Sequence, residues 1–170
     1  MNAMKLRSFG LFLETIAFTI VVPGTVTVLI PSRILGDEAR ILFQPSAVTS
    51  FIALLPLSLG AAIYFRCLWE FAARGRGIPL PIDHPKQLVV TGLYRYVRNP
   101  MYVGVLIFLI GEVILFRSMN LLIYTACWFA FVHLNVILWE ERLLRHKFGD
   151  SYTRYRAAVR RWIPGKRYVV

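Results

Sequence analysis

The sequence predicts an all-α integral membrane protein with four transmembrane helices, five at most, a long cytoplasmic loop and a C-terminal amphipathic helix. Three observations lead to this fold class. Hydrophobic residues make up 57% of the 170 residues, and the mean hydropathy is +0.58, which exceeds what soluble domains show. Four apolar runs approach the length of a bilayer crossing. The net charge of +11 is concentrated in a few segments, as in the cytoplasmic parts of membrane proteins.

Each apolar run is interpreted as one transmembrane helix, because about 20 mostly apolar residues cross roughly 30 Å of hydrocarbon. The first run is too long for the apolar part of a signal peptide and contains Glu14 and Pro23, so we expect it to be retained. The third run is short and requires a thin bilayer or protein cover at one end. The four predicted spans are 9–30, 47–68, 101–116 and 121–139.

The basic residues predict the orientation, because Lys and Arg are retained on the cytoplasmic side of short loops. With four spans, both termini and the loop between spans two and three lie on one side. That side carries 17 of the 20 basic residues, and only Arg33, Arg40 and Arg117 lie opposite. We therefore expect a multi-pass protein with both termini in the cytoplasm. In so apolar a chain, the basic charge favours membrane lipids over nucleic acid as partners.

The cytoplasmic segments are too long to be simple connectors, and with the spans they form one predicted domain, residues 1–170. Loop 69–100 begins as a helical extension and then contains Pro79, Pro81 and Pro85, which exclude a regular helix. Residues 140–161 carry apolar side chains every three or four positions, which predicts a helix along the membrane surface. The two cysteines have no CxxC spacing, so neither a disulfide nor a metal site is predicted.

A polar segment, residues 86–104, leads from the loop into the third span. Pro100 suits the first turn of a helix whose N–H groups and positive dipole end face the cytoplasm. Such a helix end suits an anionic or carboxylate-bearing ligand. The alternative is an interfacial belt that contacts lipid headgroups, formed by Tyr94, Arg95, Tyr96, Arg98 and Tyr102.

Two adjacent carboxylates, Glu140 and Glu141, stand at the end of the fourth span, where they oppose membrane insertion and repel each other. A cationic ligand is one source of compensation. The other is a salt bridge to an arginine, with Arg95, Arg98 and Arg145 as candidates. Neighbouring helix positions point about 100° apart, so one glutamate can face a site while the other pairs with an arginine. His133 precedes Glu140 by seven residues, and it is expected to be an interhelical hydrogen-bond partner rather than a catalyst.

Together, the two motifs resemble those of the membrane-embedded isoprenylcysteine carboxyl methyltransferases and their phospholipid N-methyltransferase relatives. The first motif consists of Leu88, Val89, Gly92, Tyr94, Arg98, Asn99, Pro100, Tyr102 and Gly104. The second consists of Glu140, Glu141, Leu144, Phe148, Gly149, Tyr152 and Tyr155. The resemblance covers roughly residues 50–165 and includes the order and spacing of the motifs.

The resemblance implies methyl transfer from S-adenosylmethionine, held between the cytoplasmic loop, the start of the third span and the C-terminal helix. It implies that Glu140 or Glu141 accepts from the amino group of this cofactor, and that backbone N–H groups at the start of the third span meet its carboxylate. The implied cofactor-binding residues are Gln87, Leu88, Val89, Gly92, Tyr94, Arg98, Asn99, Pro100, Tyr102, Gly104, Glu140 and Glu141. No Gly-rich dinucleotide fingerprint occurs in the sequence, which excludes the soluble methyltransferase fold.

The expected acceptor is a lipid or another lipophilic small molecule that enters from the bilayer. Asn99 stands where many members carry His, and an amide cannot titrate near neutral pH, so no general base is expected there. Members that act on prenylcysteine carry a basic residue where this chain has Ala158. A prenylated protein is therefore not the expected substrate.

Three arginines near Ala158 are candidates to replace that basic residue: Arg156, Arg160 and Arg161. Arg156 and Arg160 are four residues apart and share a face of the predicted helix, where both can meet one lipid phosphate or carboxylate. The predicted catalytic set is therefore Glu140, Glu141 and Arg156.

Two other classes of function are alternatives. One is a non-enzymatic assembly or transport subunit whose basic face binds anionic lipid. The other is an NADPH-dependent membrane reductase with a C-terminal motif similar to that of sterol reductases, although those enzymes are usually larger. Binding of S-adenosylmethionine separates the methyltransferase from both.

Overall fold

The computed structural model describes residues 21–36, 47–73, 88 and 90–169. Within these residues all regular structure is helical and no strand occurs, which confirms the predicted all-α class. The junction Val136–Glu140 and the stretch Thr25–Leu29 are π-helical. The helices are α1 (Val21–Leu35), which includes the π-helical stretch, α2 (Ala47–Ala73), a 3-10 turn (Gly92–Arg95), α3 (Pro100–Phe116), α4 (Met119–Asn135) and α5 (Glu141–Ala158).

Two stretches of helix are long and apolar enough to cross a bilayer. They are Val48–Glu70 within α2, and Met119–Ala158, in which α4 continues through the π-helical junction into α5. Helices α1 and α3 are apolar but shorter. These apolar helices indicate a membrane protein, whereas the count of four spans stays a prediction. Residues 9–20 of the first predicted span lie outside the described residues, and the remainder is helical as far as Leu35.

Helices α2 and α3 pack closely in antiparallel directions because glycines lie at their contact. A Cβ atom at Gly60 would lie 2.6 Å from the carbonyl oxygen of Gly104. One at Gly111 would lie 2.9 Å from the backbone nitrogen of Leu57. Small residues allow such approach of backbones in membrane helices. Beside this contact lies a buried cluster of Tyr64, Val105 and Leu109, against which Tyr124 and Trp128 of α4 pack.

A tight turn connects α3 to α4 and folds α4 back onto the pair. Arg117 adopts a left-handed conformation with φ of 50°, which ends α3. Ser118 then caps α4, because its hydroxyl accepts from the backbone N–H of Leu121 at 3.4 Å. The C-terminal end of α4 is thereby directed to the start of α3.

Helix α5 differs from the predicted helix 140–161 at two points. Gly149 has φ of 51° and interrupts the helix, a conformation that glycine adopts without a steric penalty. The helix also ends at Ala158, and Val159 is extended. The prediction that Arg156 and Arg160 share a helical face is therefore wrong, because Arg160 lies beyond the helix.

Residues 159–168, which we name the C-terminal strap, run back across the segment before α3. The backbone N–H of Arg98 donates to the carbonyl of Arg160 at 2.9 Å. Further along, the N–H groups of Gly165 and Tyr168 donate to the carbonyls of Tyr96 and Arg95, each at 2.9 Å. These contacts explain why the helix stops: the backbone groups of the strap are paired with another segment instead of with α5.

Candidate functional site

The site begins at the 3-10 turn, which packs on the end of α2. Gly92 has φ of +56°, and a Cβ atom there would lie 2.8 Å from the carboxyl carbon of Glu70. Only glycine combines this backbone conformation with such close contact. Glu70 is buried and accepts from Arg66 Nη2 at 3.0 Å. The end of α2 therefore fixes the position of the turn.

The start of α3 lies beside the turn and has no side-chain cap. Pro100 occupies the first turn of the helix, and Asn99 is the residue at its N-cap position. The Asn99 amide does not cap the helix but donates from Nδ2 to the carbonyl of Arg161 in the strap, at 3.3 Å. The first N–H groups of a helix have no partner within the helix and carry its positive dipole end, so this end can accept a carboxylate.

Glu140 lies next to this helix start and contacts only neutral donors within the described residues. The Tyr102 hydroxyl donates to Glu140 Oε1 at 2.6 Å. Asn135 Nδ2 donates to the same oxygen at 3.0 Å. No cation pairs with this carboxylate in the part of the chain that the structure describes. Within the described residues, Glu140 is thus held in place by neutral donors and not by a cation.

Glu141 has the opposite environment, because three arginines surround it. Arg161 donates from Nε to Oε1 at 2.6 Å and from Nη2 to Oε2 at 3.1 Å. Arg98 Nη1 donates to Oε1 at 2.9 Å, and Arg156 Nε lies 3.7 Å from Oε2. Burial alone would raise the pKa of Glu141, but the hydrogen bonds of Arg161 and the charges of the three arginines hold this pKa below its ordinary value.

The arrangement offers complementary groups for a ligand that carries both charges and an apolar part. Glu140 can accept from a cationic amino group, and the start of α3 can bind a carboxylate. Arg98 Nε is buried and has no partner among the described residues. Nearby lies a buried aromatic cluster that contains Tyr152 and Tyr155. The residues present therefore fit the amino-acid end of S-adenosylmethionine.

Two comparisons with known proteins agree with this chemistry. The sequence profile of the phospholipid methyltransferase family matches residues 48–151, which is more than half of the chain. The chain therefore belongs to the phospholipid methyltransferase family. It is also similar to protein-S-isoprenylcysteine O-methyltransferase of Schizosaccharomyces pombe, with 37% identity over 78 residues, 45% of this chain and 33% of the relative. The chain thus matches about a third of that relative's length. No solved structure matches the chain.

Membership of the phospholipid methyltransferase family confirms the resemblance predicted from the two motifs. A family of methyltransferases is favoured over both alternatives, the non-enzymatic subunit and the NADPH-dependent reductase. The family profile covers Glu140 and Glu141 and all of the first motif, but it ends before Tyr152 and the strap.

The structure brings most of the predicted site residues together around the start of α3. Leu88 packs against the aromatic cluster, and the carbonyl of Tyr94 accepts from the Tyr155 hydroxyl at 2.7 Å. Gly104 is different, since it lies in the α2–α3 contact, where a Cβ atom would be 2.9 Å from the Gly60 carbonyl. Gln87 and Val89 lie outside the described residues.

His133 forms the hydrogen bond expected of it, although its partner is in the strap and not in a helix. Its Nδ1 accepts from Trp162 Nε1 at 2.9 Å. A neutral imidazole with Nδ1 as acceptor carries its proton on Nε2. The hydrogen bond from Trp162 therefore occupies Nδ1, the nitrogen that would otherwise be available as a base.

Four partners of the glutamates were not predicted from the sequence: Tyr102 and Asn135 for Glu140, and Arg156 and Arg161 for Glu141. Arg98 was a predicted partner and does pair with Glu141, but the bidentate partner of Glu141 is Arg161. Arg145, also predicted, is exposed and forms no ion pair within the described residues. Asn135, five residues before Glu140, donates to that carboxylate. The sequence offered a signal for Asn135, which is an amide inside an apolar run. It offered none for Arg161, because its position depends on the return of the strap.

Proposed function

We propose that this protein transfers a methyl group from S-adenosylmethionine to a lipophilic acceptor at the cytoplasmic face of a membrane. The observation that supports the proposal is the division between the two glutamates at the start of α3. Glu141 is neutralised by arginines, whereas among the described residues Glu140 contacts only the neutral donors Tyr102 and Asn135. The Glu140 carboxylate thus lies beside the uncapped start of α3. An amino acid moiety requires such a pair, an acceptor for its amino group and N–H donors for its carboxylate.

In this proposal the residues bind, orient and exclude water. Glu140 accepts from the amino group, the N–H groups at the start of α3 bind the carboxylate, and Leu88 and Tyr94 flank the adenosine. Bound S-adenosylmethionine supplies a methyl group on a positively charged sulfur, which is reactive without a metal ion. Holding the acceptor atom in line with that methyl group supplies most of the rate, and the apolar surroundings keep water out.

The proposed topology has four spans, with both termini and the site in the cytoplasm. The end of α2, the start of α3 and the end of the fourth span meet at one end of the helices, through the Gly92–Glu70 and Tyr102–Glu140 contacts. That end also holds α5 and the strap, which are rich in arginine. Basic residues accumulate on the cytoplasmic side, and this is the orientation we propose.

The proposed acceptor is a membrane lipid rather than a prenylated cysteine. The similar yeast protein is named for isoprenylcysteine, and the family for phospholipid. Ala158 occupies the position at which the prenylcysteine enzymes carry a basic residue, which favours the lipid. Purified protein with methyl-labelled S-adenosylmethionine can be offered a lipid extract and, separately, N-acetyl farnesylcysteine. Labelled lipid is the expected product, and efficient methyl ester formation on the prenylcysteine compound would reverse the choice of acceptor.

Cofactor binding is the decisive experiment for the activity. Protein purified in detergent is titrated with S-adenosylhomocysteine, the demethylated product, in a calorimeter. We expect saturable binding at one site per chain. Absence of heat in a protein that still unfolds cooperatively on heating would overturn the methyltransferase proposal and favour the non-enzymatic subunit.

A further inference from the structure

One strap residue, Arg161, holds a polar group from each of the two motifs. Its guanidinium donates to both carboxylate oxygens of Glu141, at 2.6 and 3.1 Å. Its carbonyl accepts from Asn99 Nδ2 at 3.3 Å. The strap lies outside residues 48–151, which the family profile matches. A segment beyond the recognised family region therefore engages the centre of the site.

The position of Arg161 is fixed by anchors on both sides. Val159 is 2% exposed and belongs to the buried aromatic cluster. Trp162 donates from Nε1 to His133 Nδ1 at 2.9 Å. Arg161 precedes Trp162 directly and follows Val159 by two residues, so it has little freedom to turn away and its side chain is directed to Glu141.

The consequence concerns which polar groups are left for a ligand. Both oxygens of Glu141 are engaged by Arg161, and the amide of Asn99 is directed to the strap and not to the first turn of α3. Glu140 and the N–H groups of α3 remain. We infer that Arg161 is a positioning residue for the amino-acid end of the cofactor, because it withdraws Glu141 and Asn99 from that end. The inference rests on the proposed function.

Loss of Arg161 has a predictable electrostatic effect. The Glu141 carboxylate would lose its bidentate partner and keep Arg98 and Arg156, so with one positive charge fewer, more of its negative charge would act on the nearby start of α3. There it would repel the carboxylate of the cofactor, and the freed Asn99 amide could cap the helix that should bind this carboxylate. In the proposed function Leu88 and Tyr94 would flank the adenosine, so its binding should not change. The defect should therefore be confined to ligands that carry the amino acid moiety.

The test compares two ligands that differ only in that moiety. S-adenosylhomocysteine carries it, whereas 5′-methylthioadenosine lacks both the amino group and the carboxylate. Titration calorimetry on Arg161→Ala should show about a tenfold weaker Kd for S-adenosylhomocysteine, a size within the range expected for repulsion between two nearby charges at a solvated site. The Kd for 5′-methylthioadenosine should stay unchanged. Arg161→Lys should fall between, because an ammonium keeps the charge but not the fork of donors.

Arg167→Ala is the matched control, since it removes one exposed arginine from the same strap and should change neither Kd. Equal weakening of both ligands by Arg161→Ala would show a structural role only, and no weakening of either would also overturn the inference. If Arg161→Ala does not unfold cooperatively, the two Kd values are compared in Arg161→Lys instead. Equal weakening of both ligands, or weakening of neither, would again overturn the inference. Wild-type protein that binds neither ligand would instead refute the proposed function.

Discussion

The two adjacent glutamates provide the most discriminating test, because stability and cofactor affinity should respond in opposite order. Glu141→Gln removes the charge that compensates Arg98, and the two side chains are only 8% and 9% exposed. Breaking such a buried pair costs about 3 to 5 kcal/mol. In Glu140→Gln the new amide oxygen still accepts from Tyr102 and Asn135, so the cost is about 1 kcal/mol or less.

Cofactor affinity should show the reverse order. Glu140 is the expected acceptor for the amino group, and loss of a charge-assisted hydrogen bond costs about 1.5 to 3 kcal/mol, or roughly ten- to a hundredfold in affinity. Glu141→Gln should weaken binding less, since both oxygens of Glu141 are already engaged by Arg161. The assays are thermal unfolding in detergent and titration with S-adenosylhomocysteine at a temperature where both variants are folded.

Asp150→Asn is the control, because Asp150 is an exposed carboxylate on the same helix and should affect neither property. Equal losses of affinity in the two glutamate variants, or the larger loss in Glu141→Gln, would refute the assigned roles. A lower unfolding temperature for Glu140→Gln than for Glu141→Gln would refute the reasoning about the buried ion pair.

Three further variants test the packing and the acceptor site. Gly60→Ala should destabilise the protein by about 1 to 3 kcal/mol, the cost of overpacking, because its Cβ would lie 2.6 Å from the carbonyl of Gly104; an unchanged unfolding temperature would contradict the close approach. Trp162→Phe keeps a ring but loses the hydrogen bond to His133, and thermal unfolding should show a loss of about 1 kcal/mol. Arg156→Ala should raise the Michaelis constant of the lipid acceptor more than that of the cofactor, and the opposite ratio would remove Arg156 from the acceptor site.

The helices could be predicted from the sequence wherever a local signal specifies them. Pro100 begins α3 as expected, because its fixed φ and missing N–H suit a first helical turn. The apolar runs became α2 and α4 because a long run without proline clusters leaves the backbone few alternatives to a helix. The Arg98–Glu141 pair was likewise among the predicted compensations, since both charges were expected at the same bilayer boundary.

The end of α5 could not be predicted, because it is decided by contacts distant in the sequence. The apolar spacing of Tyr152 and Tyr155 continues to Val159, and all three are buried together. What ends the helix is the pairing of Arg160 with Arg98, 62 residues earlier. The spacing of apolar residues predicts which face of a helix is buried. It does not predict which backbone groups form hydrogen bonds with a segment distant in the sequence. Arg161, among the many basic residues of the tail, pairs with Glu141 because the strap runs back across the segment before α3.

The different environments of the two glutamates follow from which elements reach each side chain. Glu141 faces the strap and the segment before α3, both of which supply arginines, and a bidentate guanidinium leaves it little attraction for another cation. Glu140 faces α3 and α4, which supply only a phenol and an amide. A carboxylate fixed by neutral donors at a bilayer boundary gains most from a cation that arrives there. We therefore expect the affinity for the amino group to come from Glu140, while the arginines around Glu141 keep a second negative charge from acting on the carboxylate of the cofactor.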